Sequence, residues 1–151
     1  MKLDARSVGA AVDRPDPQRR FYLFHGPDES GSRALAQRLL SALGAEKFAV
    51  PAAGIKEDPA SLADEAGALA LFGGPRVIWI EPAGEEIAAG VEALLAASSV
   101  ESPVVAIAGA LRKTSGLLKT AEGHALAVAA ACDKGRRKES QFNARLPKSG
   151  K

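Results

Sequence analysis

The feature that most constrains this chain is a set of short runs that are apolar along almost their whole length. Residues 21–25 read FYLFH, 76–81 read RVIWIE, 103–108 read PVVAIA and 125–132 read ALAVAAAC, with a weaker run at 46–52. A strand with one wet face alternates apolar and polar residues, whereas a strand without alternation must be covered on both faces. Helical patterns separate these runs, and alternating strands and helices build a parallel sheet between helical layers. The expected fold is therefore α/β, a three-layer parallel sheet of about five strands.

The helices are read from their spacing and their ends. Leu35, Leu39 and Leu43 recur at i, i+4 and i+8, so residues 32–43 form a helix that Gly44 closes. Asp58 and Pro59 read as an N-cap and a first-turn proline, with Leu62, Ala66 and Leu69 on one face behind them. A further helix is expected over residues 85–97, its first turn holding Glu85 and Glu86 where the helix dipole favours acids. A last one lies near 115–120. Residues 1–20, with Pro15 and Pro17, give a short amphipathic lead-in and a turn.

At 151 residues the chain has room for one domain with one core. That domain is expected over residues 1–133. The remaining stretch, 134–151, carries seven Lys/Arg against the single acid Glu139, lacks apolar periodicity and reads as a disordered basic tail. Because the basic charge is confined to this stretch and the body is acidic, the chain does not read as a basic DNA-binding domain. No run approaches the roughly 20 apolar residues of a spanning helix, and Met1-Lys2-Leu3-Asp4 lacks a signal peptide's apolar stretch. No membrane association is expected, and the cytoplasm is the expected compartment. The single cysteine, Cys132, ends an apolar run and is expected to be a buried structural thiol.

The first strand–turn–helix unit stands where a phosphate-binding loop would stand. Such a loop reads G-x-x-x-x-G-K-[ST]. Its amides wrap the phosphates, its lysine neutralises them and its hydroxyl binds magnesium. Here the string is Gly26-Pro27-Asp28-Glu29-Ser30-Gly31-Ser32-Arg33. Gly26 and Gly31 keep the spacing, but Ser32 replaces the lysine and Arg33 replaces the hydroxyl residue. Asp28 and Glu29 bring negative charge that repels phosphate, and Pro27 removes an amide donor. Arg33 is expected to be a solvated helix residue and Glu81 an exposed acid at a strand end. No cofactor is expected in this loop. His25 and His124 have no ligand partners at useful spacing, so no metal is expected, and no serine nucleophile has an evident base. A small P-loop-like nucleotide-binding enzyme with an atypical phosphate loop remains the alternative.

Leu71 and Phe72 stand just before Gly73-Gly74-Pro75. They either pack under the next strand or project from a helix end as a hydrophobic knob, the kind of anchor that supplies about 2 kcal/mol or more at a protein interface. The stretch Ala68-Leu69-Ala70-Leu71-Phe72-Gly73-Gly74-Pro75-Arg76-Val77-Ile78 resembles the S-L-F-x-x-R-hydrophobic segment of the delta subunit of the bacterial DNA polymerase III clamp loader. Phe21-Tyr22-Leu23-Phe24-His25-Gly26-Pro27-Asp28 is similar to that family's opening strand and G-x-D/E turn. Val104–Ala108 with Gly109, Ala110, Leu111, Ser115, Leu117, Leu118 and Lys119 resembles its later strand and L-x-x-x-S-x-L-x-K helix. Order and spacing agree over about residues 17–133.

The resemblance implies an AAA+-like amino-terminal domain that binds no ATP and has no catalysis of its own, within a DNA-directed DNA polymerase (nucleotidyltransferase) holoenzyme. It also implies that Leu71 and Phe72 insert into the beta sliding clamp and open its ring, in company with the other clamp-loader subunits. Any DNA contact by exposed Lys and Arg would be weak and salt-sensitive. Members of that family are more than twice this long, and residues 134–151 match nothing in them.

Overall fold

The protein is described from a computed structural model over residues 1–68 and 74–133. Leu71, Phe72 and the basic stretch 134–151 lie outside the described residues.

Six strands form one sheet: β1 (Lys2–Leu3), β2 (Phe21–His25), β3 (Glu46–Ala49), β4 (Arg76–Ala83), β5 (Val104–Ala108) and β6 (Ala127–Ala131). Their order is β1-β6-β2-β5-β4-β3, and every pair is parallel. The expected parallel sheet is present, with one strand more than the five expected. β1 is the addition: two residues paired with Ala129 and Ala130 of β6 are too few to leave a periodicity in sequence.

The fully apolar strands are buried as their composition requires. β2 and β5 have no exposed residue. Successive side chains alternate faces, so Phe21 and Leu23 enter one core while Tyr22 and Phe24 enter the other. Burying each such side chain contributes about 1.5–3 kcal/mol.

Among the described residues, six helices cover the two faces. α3 (Ala52–Glu57), α4 (Ala60–Gly67), α5 (Ala88–Ala96) and α6 (Gly116–Gly123) share the Phe21 core, while α1 (Val8–Asp13) and α2 (Glu29–Leu43) share the Tyr22 core. Three layers result, as expected.

Several local expectations are corrected. α2 begins at Glu29 rather than Ser32, because the Asp28 carboxylate accepts from the Gly31 amide and starts the helix earlier. Its sheet-facing stripe is Ser32, Ala36 and Leu39, with Leu35 and Leu43 only partly buried. Asp58 makes no side-chain cap; it ends α3, a helix the sequence reading did not anticipate, and only its carbonyl accepts from Ser61. The helix expected at 85–97 opens with a 3-10 turn, Glu85–Ile87, before α5. Residues 1–20 contribute a strand and a short helix rather than only a lead-in.

Candidate functional site

The loop Gly26–Arg33 leaves the carboxyl end of β2, a central strand with β5 on one side and β6 on the other. From β2 the chain passes to α2 on one face; from β5 it passes to α6 on the opposite face. In open parallel sheets this is the crevice where ligands bind. The location therefore suits a nucleotide site, and the residues in it decide what it can do.

Gly26 is held by the two neighbouring strands. Its amide donates to the Gly109 carbonyl at 3.0 Å, and the Asp28 amide donates to the Cys132 carbonyl at 3.2 Å. The Cys132 amide in turn donates to the His25 carbonyl at 2.6 Å. At φ +122°, Gly26 also has no room for a side chain: a Cβ would stand 3.0 Å from the Cys132 carbonyl carbon and closer still to its oxygen. The glycine is required by a backbone crossing. His25 and Cys132 are both buried there, and burial lowers the His25 pKa below its ordinary value.

The amides that would greet a phosphate face a carboxylate of the chain itself. Asp28, 1% exposed, accepts from the Gly31 amide at 3.0 Å and from the Ser30 hydroxyl at 3.1 Å. The carboxylate lies so close under Gly31 that a Cβ there would sit 2.8 Å from its Cγ. Both loop glycines thus have structural reasons for being glycine. The Asp28 charge that repels phosphate also caps α2. The signal was available, since an aspartate three residues before a helical amide is the ordinary N-cap arrangement. Ser32, in the position of the missing lysine, is fully buried on the sheet-facing side of α2, and its hydroxyl has no partner among the described residues.

Arg33 and Glu81, read separately as solvated, are brought together. Arg33 donates from Nε at 2.9 Å and from Nη2 at 2.6 Å to the same Glu81 oxygen. The other Glu81 oxygen accepts from the Trp79 indole at 3.0 Å. The hydrogen bond from Arg33 holds the Glu81 carboxyl below its usual range. This pair ties the start of α2 to the end of β4 across 48 residues of sequence, so no local pattern could have revealed it. Glu81, the acid at the end of this hydrophobic strand, is already engaged by a guanidinium.

The second helix N-terminus facing this end of the sheet is filled in the same way. Glu85 accepts from the Ser115 hydroxyl and, at 3.2 Å, from the Leu117 amide, while Ser115 caps Leu118 at 3.0 Å. A helix N-terminus attracts anions through its free amides and its dipole. In both α2 and α6 the anion is a side chain of the protein.

Leu71 and Phe72 fall outside the described residues. Their flanks are placed. Ala68 ends α4, the Ala66 carbonyl accepts from the amides of Glu101 and Ser102 just before β5, and Gly74 and Pro75 lead into β4. All of these stand at the amino-terminal end of the strands, opposite to the loop Gly26–Arg33. Among the described residues no group of His, Cys, Asp and Glu could hold a metal ion, and no helix is long and apolar enough to cross a membrane. No family model and no curated protein matches the chain.

Proposed function

We propose that this chain is an AAA+-like amino-terminal domain of the clamp-loader delta type, which binds and opens the beta sliding clamp through Leu71 and Phe72 and hydrolyses no ATP. One observation carries the reading: the phosphate position of the loop is occupied by the buried Asp28 carboxylate, with Arg33 committed to Glu81. A nucleotide would have to displace a buried, hydrogen-bonded carboxylate and bring its own negative charge to the same place, which opposes binding twice over. The sheet then serves as a scaffold, and ATP hydrolysis belongs to other subunits. The switch-point position of the loop and the ordered resemblance of residues 21–28, 68–78 and 104–119 support the same assignment.

The test is binding of the purified chain to an immobilised beta clamp, alongside the double variant Leu71→Ala, Phe72→Ala. Two interface anchors at about 2 kcal/mol each imply a loss of roughly a thousandfold in the double variant. Unchanged affinity would overturn the clamp reading. Equilibrium binding of labelled ATP with magnesium addresses the alternative enzyme. No binding is expected, and micromolar binding lost on Arg33→Ala would establish a nucleotide site instead.

A further inference from the structure

At the amino-terminal end of the sheet, remote from Gly26–Arg33, lies an open cleft of about 580 Å³. Sites for small organic ligands commonly measure about 300–1,000 Å³ and combine apolar walls with a few polar groups. Pro17, Pro103, Leu43 and Leu126 supply apolar wall here, and Tyr22, Arg19 and Arg76 also line it.

Each of these three side chains offers a hydrogen-bond donor. The Tyr22 ring is packed in the core at 2% exposure, yet its hydroxyl has no hydrogen-bond partner among the described residues. Burial pushes the phenol up to about 12, so it keeps its proton at any physiological pH. Arg76 uses Nη2 on the carbonyl and carboxylate of Glu65, at 2.9 and 2.7 Å, and lies over the Phe48 ring. Its Nε is buried with no partner among the described residues. Arg19 donates to the Ala125 carbonyl and has no carboxylate partner among the described residues. Arg20 differs, since its Nη1 is given to the carbonyls of Leu94, Leu95 and Ala97 at the end of α5 and so shapes the wall.

The buried Arg76 Nε is a donor without an acceptor, which is unfavourable until something supplies one, and guanidinium and phenol donors share a preference for oxyanions. We propose that this cleft binds a small organic oxyanion, a carboxylate or phosphate ester on an apolar body, with Tyr22, Arg76 and Arg19 as its donors. Two acids line the cleft as well. Asp16 and Glu101 are exposed at its edge, and Asp16 turns one oxygen to the Gln18 amide at 2.9 Å. Both act against an anion, weakened by solvent, and the Asp16 charge also helps to raise the Tyr22 phenol.

Tyr22 is the single tyrosine of the chain, so the full-length protein labelled with 3-fluorotyrosine gives one ¹⁹F resonance, inside the cleft. Phenyl phosphate, benzoate and neutral phenol serve as probes, with inorganic phosphate testing whether the apolar body is needed. Saturable shifts with phenyl phosphate or benzoate are expected, and the stronger of the two identifies the oxyanion; phenol should leave the resonance in place. Calorimetry on Tyr22→Phe, Arg19→Gln and Arg76→Gln should find each about tenfold weaker, the value of one charge-assisted hydrogen bond. Asp16→Asn should bind more tightly. Tyr22→Phe keeps the packed ring and Arg19 is partly exposed, so those two variants remain informative if loss of Arg76 from Glu65 prevents folding. A shift with phenol equal to that with the anions, no saturable response to either anion, or undiminished affinity in both Tyr22→Phe and Arg19→Gln would overturn the proposal.

Discussion

Gly26→Ala separates two reasons for a glycine in this turn, close approach of a ligand phosphate and close approach of the protein's own backbone. The structure assigns the second. A non-glycine residue held at φ +122° costs on the order of 1–3 kcal/mol in backbone strain. The new methyl group would also meet the Cys132 peptide, which is backbone and has no rotamer by which to move away. Relief requires the end of β6 to retreat, loosening the bonds Asp28–Cys132 and Cys132–His25. Each contributes about 1 kcal/mol. The expected loss is therefore about 3–5 kcal/mol, a large share of the roughly 5–15 kcal/mol that stabilises a typical domain. Gly44 provides the control: its φ is +60°, but a Cβ there meets nothing within 4 Å, so Gly44→Ala should cost only about 1–2 kcal/mol. Urea denaturation followed by circular dichroism, with the fluorescence of the single tryptophan Trp79 as a second probe, measures both. A Gly26→Ala variant no less stable than Gly44→Ala would refute the reasoning, because the Cys132 carbonyl would then not be what demands glycine.

Other consequences concern the side chains that fill the loop. Asp28→Ala should cost about 1 kcal/mol through loss of the α2 cap, and Asp28→Asn, which can still accept from Gly31, clearly less; thermal melting of the pair distinguishes them. Arg33 and Glu81 are partly exposed, so Glu81→Gln should lower stability near neutral pH by no more than about 1 kcal/mol. Folding holds the Glu81 carboxyl below its ordinary value of 4.5, so the wild-type advantage is complete above that value and should vanish as pH falls through the depressed one. An advantage that instead grew in acid would contradict the pairing. Glu85→Ala should raise amide exchange at the start of α6 by about fivefold to tenfold, the equivalent of roughly 1 kcal/mol, and leave α2 unchanged.

The fold was largely legible because its signals are local. Residues 21–25 and 104–108 have no polar face, and that alone requires helices on both sides of the sheet. The boundaries moved where a single side chain decides them, as with Asp28 starting α2 three residues early. What stayed hidden came from distance along the chain. Arg33 meets Glu81, Glu85 meets Ser115, and Tyr22 shares a cleft with Arg76; none of these pairs falls within one element.

The sequence by itself determined that this would be a doubly covered parallel sheet and that the loop after its second strand lacks a lysine and a hydroxyl. Composition and spacing suffice for that, since burial and periodicity act residue by residue. Tertiary structure alone decided what stands in the loop instead. Only when β6 crosses beside β2 does the Cys132 carbonyl exclude a side chain at Gly26, and only when β4 ends beside α2 can Glu81 reach Arg33. Hydrogen bonds and steric exclusion act over a few ångströms of space, whatever the separation in sequence.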